Sequence, residues 1–254
     1  MNIFERKLHP DANIGGGGDD LDKKIEAEEA TYKELLSLIS NGNTYKAKEL
    51  LQSFPLPQER VEEATYKELL SRISNGYVDS AEELLQSFPL PQERLNTPEI
   101  QEATYEGLLS LLSNGHVDYA EKLLQSFPLP QERLNTPEIQ EATYKGLISL
   151  LSNGHVDYAE KLLQSFPLPQ ERVEEATYKG LISLISNSHV DYAKELLQSF
   201  PLPQERVEEA TYKGLISLLS NGNTYKAEKL LQSFPLPQER VEEATYKGLI
   251  SLLS

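Results

Sequence analysis

The chain has 254 residues, 39% of them apolar, a formal net charge of -16 and a pI of about 4.7. That is enough apolar material for a sizeable core, and so acidic a surface repels phosphate backbones while favouring basic partners, or partners indifferent to charge. There is no cysteine, which excludes a disulfide framework and thiolate metal sites and fits a reducing compartment.

In chain order, residues 1–24 come first. Asp11, the Gly15–Gly18 run, Asp19, Asp20 and Asp22 have the composition of a flexible acidic tail. The start Met-Asn-Ile-Phe-Glu-Arg-Lys lacks the apolar core of a signal peptide. No apolar run approaches the roughly 20 residues of a membrane span. The expected location is the cytoplasm, or a place reached by a route that leaves no N-terminal mark, and no membrane is expected among the partners.

From residue 25 onward the chain repeats itself. Thr-Tyr begins at Thr31, Thr65, Thr104, Thr143, Thr177, Thr211 and Thr245, with spacings of 34, 39, 39, 34, 34 and 34. Ser-Phe-Pro-Leu-Pro-Gln-Glu-Arg occurs six times unchanged, from Ser53, Ser87, Ser126, Ser165, Ser199 and Ser233. The two longer units carry Leu-Asn-Thr-Pro-Glu-Ile-Gln (95–101 and 134–140) where the others carry Val-Glu. The extra residues therefore fall in the connection between units, because loops accept insertions that packed helices do not.

Each unit reads as two helices. In 173–185, Val173, Ala176, Thr177, Gly180, Leu181, Leu184 and Ile185 fall on one stripe of a helix A, widened by Tyr178 and Ile182. Ser-Asn-Gly or Ser-Asn-Ser ends it, since Asn and Gly accept the left-handed conformation. Helix B follows, as in 116–127, with Ala120, Leu123, Leu124 and Phe127 on one face. Pro128 stops it, because proline removes a helix bond and clashes with the preceding turn. In the longer units Thr97 and Pro98 form an N-cap and first helical residue, with Glu99 in the first turn. The count is seven A and six B helices. One helix pair cannot bury both its faces, and stacking of neighbours can. The expected fold is all-α, a right-handed-type α-solenoid of helix-turn-helix repeats with about six and a half units of 34–39 residues over 25–254.

The last helix A ends at Ser254 with Leu249, Ile250, Leu252 and Leu253 unchanged from the internal copies. A solenoid usually closes with a polar cap. The expectation is a longer array, or an end that meets another molecule through these four residues.

The unit resembles the helical-hairpin repeat superfamily, and within it the pentatricopeptide type. The matching residues of the third unit are Thr104-Tyr105, Leu108, Gly115, Ala120, Leu124 and Phe127. The Gly-to-Ala spacing and the 34-residue period are also similar to tetratricopeptide repeats. Helix A is one residue shorter than the pentatricopeptide pattern. The resemblance implies single-stranded RNA read by two side chains per unit. One follows Thr-Tyr (Lys33, Lys67, Glu106, Lys145, Lys179, Lys213, Lys247), and the other stands three residues before Thr (Glu28, Glu62, Gln101, Gln140, Glu174, Glu208, Glu242). Base reading needs short polar groups. Long charged side chains instead form ordinary i,i+4 pairs, as in Glu175 and Lys179, so nucleic acid is not the expected partner.

Three ladders remain. His116, His155 and His189 stand two residues before an Asp, a pair that can bind metal, but one per unit at the start of helix B they read as capping or turn residues. Arg60, Arg94, Arg133, Arg172, Arg206 and Arg240 recur once per unit beside a Glu. They read as an ion-pair rim, or as a docking strip, since Arg grips carboxylates in a fork. Tyr32, Tyr66, Tyr105, Tyr144, Tyr178, Tyr212 and Tyr246 read as packing residues that can alternatively stack against bases or prolines. Gly107, Gly146, Gly180, Gly214 and Gly248 lie inside helix A, where Gly costs about 1 kcal/mol against Ala, so they predict close helix approach. Glu34 and Glu68 replace them in the first two units.

No nucleophile–base pair, phosphate loop or zinc spacing occurs. Repeated units lay side chains out in ladders and not in the pocket of unlike residues that catalysis needs. The sequence thus predicts no catalytic, cofactor or metal residues. It predicts a non-enzymatic scaffold that binds a protein or peptide, with end-to-end self-assembly as the alternative and RNA binding as the second.

Overall fold

The computed structural model describes residues 17–253, and side chains from Leu21 to Leu252. Among the described residues the chain forms fifteen helices and no strand. The A helices are α1 (Gly17–Ser40), α3 (Gln58–Ser74), α6 (Pro98–Ser113), α9 (Pro137–Ser152), α11 (Gln170–Ser186), α13 (Gln204–Ser220) and α15 (Gln238–Leu253). The B helices are α2 (Thr44–Ser53), α4 (Val78–Ser87), α7 (Val117–Ser126), α10 (Val156–Ser165), α12 (Val190–Ser199) and α14 (Thr224–Ser233). Two one-turn helices, α5 (Gln92–Leu95) and α8 (Gln131–Leu134), occur only in the longer units. The seven-plus-six count read from the repeat is therefore present. Of the segment read as an acidic tail, residues 17–24 are the first turns of α1, and residues 1–16 lie outside the described residues.

Helix A starts earlier than its apolar stripe. In the shorter units Gln-Glu-Arg of the octapeptide is already helical: Pro169 stands at the N-cap with φ -56°, and its carbonyl accepts the Arg172 and Val173 N–H groups at 2.9 and 3.2 Å. Proline suits this place because its φ is preset and no N–H is needed there. In the longer units the insertion splits the same run. Gln131–Leu134 makes its turn, the chain breaks at Asn135, and Thr136 caps a second start at Pro137. The insertion thus acts at the head of helix A and not in a passive loop.

The A-to-B turn closes by a matched pair of backbone bonds. Gly115 N–H donates to Leu112 O and His116 N–H to Leu111 O, the 5→2 and 6→1 pattern of a left-handed cap. Gly115 has φ +74°. In the fifth unit Ser188 must take the same conformation, at φ +67°, where a Cβ is strained.

The chain divides into two compact units. The first holds the described residues up to Leu70 together with Asp79–Arg94, and within it α1 packs on α2. The second holds Ser71–Val78 and everything from Leu95. Within the second, α6, α9, α11, α13 and α15 pack in succession, α6, α9, α11 and α13 each hold the B helix that follows, and α7, α10 and α12 touch in turn. The core is the predicted stripe. Ala176, Leu181, Leu184 and Ile185 of α11 are fully buried, as are Ala193 and Leu196 of α12. Each such leucine contributes roughly 2 kcal/mol of transfer energy. The buried Thr177 hydroxyl donates to Val173 O at 2.8 Å, so it carries no unmet polar cost.

Candidate functional site

The Arg ladder lies at the junctions between units. Each guanidinium carbon sits over the ring of the Tyr 28 residues before it: Arg60 over Tyr32 at 4.2 Å, Arg94 over Tyr66 at 5.4 Å, Arg133 over Tyr105 at 4.4 Å, Arg172 over Tyr144 at 4.2 Å, Arg206 over Tyr178 at 5.1 Å and Arg240 over Tyr212 at 4.6 Å. Arg60, Arg133, Arg172, Arg206 and Arg240 also pair with a carboxylate of the preceding helix A: Glu29, Glu102, Glu141, Glu175 and Glu209. These partners are 31 residues earlier, not the adjacent Glu that sequence proximity suggested. The separation is the same in long and short units because the insertion follows the Arg. Arg240 donates to Glu209 and holds its carboxyl below the ordinary value, and Arg172 does the same to Glu141.

The Tyr hydroxyl is also occupied. Lys179, Lys213 and Lys247 donate to Tyr144, Tyr178 and Tyr212 at 3.0, 2.9 and 2.9 Å. Each Lys pairs with the Glu one turn before it as well. Tyr178 and Glu209 both push the Lys213 ammonium up from its ordinary value, the tyrosine more. These lysines are the ones that the resemblance to pentatricopeptide repeats set at the first base-reading position. Where the next unit is long the partner changes, and Tyr105 bonds the N-cap Thr136 Oγ1 at 2.7 Å.

The histidines do less than their placement promised. His116, His155 and His189 occupy N-cap positions but make no side-chain cap. Their carbonyls accept the Ala120, Ala159 and Ala193 N–H groups, and each ring meets the Tyr three residues on edge to face, 5.9–6.5 Å away. No cluster of His, Asp and Glu among the described residues is arranged to hold a metal ion.

At the last helix, Leu249, Ile250 and Leu252 are half exposed and Tyr246 is 68% exposed, against 9% for Tyr212 one unit earlier. The side chain of Leu253 lies outside the described ones. No described helix is long and apolar enough to cross a membrane.

The feature that residue-by-residue reading missed is a series of three grooves within the second unit. The middle one, about 400 Å³, lies between the end of α10, the head of α11 and the end of α12. Leu163, Leu168, Val173 and Phe200 form its apolar walls, and Gln170, Glu174 and Thr177 its polar side. The next, about 390 Å³, repeats it one unit on with Leu197, Leu202, Val207, Gln204 and Glu208. The third, about 580 Å³, precedes them at α9, with Leu134, Ile139, Asn135 and Gln140. Pro167 is a wall shared by the first two in chain order and Pro201 by the last two. The available signal was the octapeptide itself, whose Phe-Pro-Leu-Pro, with exposed prolines and half-buried leucines, stays unchanged through six copies while the start of helix B varies. No protein-family model, curated protein or solved structure matches this chain.

Proposed function

We propose that the chain is an α-solenoid that works as a non-enzymatic scaffold, gripping a peptide segment of a protein partner along its loop edge. Succession of like helices, A on A and B on B in the second unit, supports the solenoid. The observation that carries the function is the row of three grooves, two walled mainly by apolar residues and the α9 one more polar, joined at Pro167 and Pro201. A concave apolar surface with a few placed polar groups is how proteins take ligands, and a repeated groove suits an extended chain. RNA fits this edge poorly, because Glu174 and Glu208 stand there and Lys179 and Lys213 are engaged by tyrosines. The test is selection from a displayed random-peptide library on the immobilised full chain. Sequences that bind the chain and not its Leu168→Asp, Leu202→Asp variant are expected. Failure to enrich any sequence overturns the reading.

A second reading is end-to-end assembly through the half-exposed Leu249, Ile250 and Leu252. A head-to-tail contact that does not close gives filaments. Against it, α1 has Glu26 where the internal junctions place Arg, and Glu34 in place of the helix Gly. A second copy's α1 would therefore bring a carboxylate to Tyr246. Sedimentation velocity decides: mass rising with concentration, and abolished by Leu249→Glu with Leu252→Glu, would establish assembly, and a constant mass would remove it.

A further inference from the structure

We infer that the three grooves take an extended polypeptide whose side chains are basic at the two grooves headed by α11 and α13 and neutral at the one headed by α9. This rests on the peptide-binding reading above and specifies its ligand. No lysine or arginine lines any of the three grooves, although the chain carries 24 such residues. Each of the two smaller grooves instead carries a carboxylate among apolar walls. Gln170 donates to Glu174 at 3.3 Å and Gln204 to Glu208 at 3.1 Å. One neutral donor holds each carboxylate; Glu208 also lies in the field of Arg240, which bonds Glu209 instead, so neither groove carboxylate is bonded to a cation among the described residues.

The α9 groove differs in both respects. Gln140 replaces the Glu, joining the amides of Gln125, Gln131 and Asn135, and the volume rises to about 580 Å³. Its one carboxylate, Glu121, already pairs with Lys161 and accepts from Ser165. A carboxylate beside apolar walls favours a guanidinium or ammonium on an aliphatic stem, because the stem covers the wall while the charge meets the acid. The chain uses this chemistry on itself, with Arg172 laid on Tyr144 and bonded to Glu141. Amides lining a wider space favour a neutral polar or bulkier side chain. The difference between long and short units thus gives the ligand a direction.

The experiment is affinity selection in solution on the full chain, using pooled peptides of Leu, Pro and Gln with Arg or Glu at randomised positions and sequencing of the bound fraction. Arg is expected to be enriched about fivefold or more over Gln at low salt and to lose most of that enrichment at roughly 0.5 M salt. Glu174→Gln with Glu208→Gln should remove the preference while the helical circular dichroism stays unchanged. Gln140→Glu should extend it to a third basic position. Bound peptides without Arg excess overturn the inference and leave peptide binding intact. If no peptide is retained, both fall.

Discussion

The bodies of α9 and α11 carry nearly the same residues and pack differently. Both run Ala-Thr-Tyr-Lys-Gly-Leu-Ile-Ser-Leu. A β-carbon placed on Gly146 of α9 would stand 1.9 Å from the carbonyl oxygen of Leu112, whereas one on Gly180 of α11 would stand 2.7 Å from the Leu151 β-carbon. The long-unit helix thus comes up against the backbone of its predecessor, and the short-unit helix against a side chain. The difference starts upstream, where Thr136 and Pro137 restart α9 while α11 runs unbroken from Gln170. An insertion tolerated as a connection resets how the following helix seats. It leaves the Arg–Tyr junction alone, since Arg133 and Arg206 both lie 28 residues after their tyrosines.

The largest expected break in this comparison comes from the glycines. Gly146→Ala should cost about 3 kcal/mol and Gly180→Ala about 1–2 kcal/mol, since a 1.9 Å contact displaces more of the neighbour than a 2.7 Å one when a core is overfilled. Denaturant unfolding of the two variants checks the order, and equal costs would refute the two seating modes. Next is the cap. Thr136→Ala should lose about 1 kcal/mol, because Thr136 both accepts the Ile139 N–H and bonds Tyr105. The corresponding place in α11 is Pro169, which makes no side-chain cap. Thermal melts should show the Thr136→Ala loss, and a melting point equal to wild type would mean that the restart is held by Pro137 alone.

The smallest effect sharpens what the two kinds of junction share. Arg133→Ala and Arg206→Ala should each cost at most about 1 kcal/mol, as their side chains are a third or more exposed. Their near-equality is the point of the measurement. The same clamp gives a pH signature at Glu209, whose pKa Arg240 lowers from 4.5. A depressed carboxylate contributes stability that is present above its unfolded pKa and lost as pH falls through the folded one. Acid titration of stability should therefore decline below about pH 4.5, and Glu209→Gln should flatten its share of that decline. An unchanged acid limb would show that the pair contributes nothing.

Much of the local structure was legible. The apolar stripe of 173–185 foretold α11, the Asn-Gly steps foretold the left-handed turns, and Pro128 foretold the end of α7. The early start of helix A at Gln170 was not, because Gln-Glu-Arg carries no apolar stripe and its helicity depends on the Pro169 carbonyl. The Arg ladder was visible as a ladder, but its partners were not: contacts 28 and 31 residues away arise only once helices stack. The histidines were read as capping or turn residues; they stand at the turns, and their side chains make no cap but lie against tyrosines.

The sequence alone determined the elements and their order, because periodicity, proline and glycine act within a few residues. The tertiary structure decided which identical copies do different things. Tyr212 is nearly buried beneath Arg240 and Lys247, while the same residue type at Tyr246 is two-thirds exposed. Glu174 and Gln140 occupy one position of the repeat but line grooves of different size and charge. Burial and charge complementarity belong to surfaces that several units make together, and no single unit encodes them.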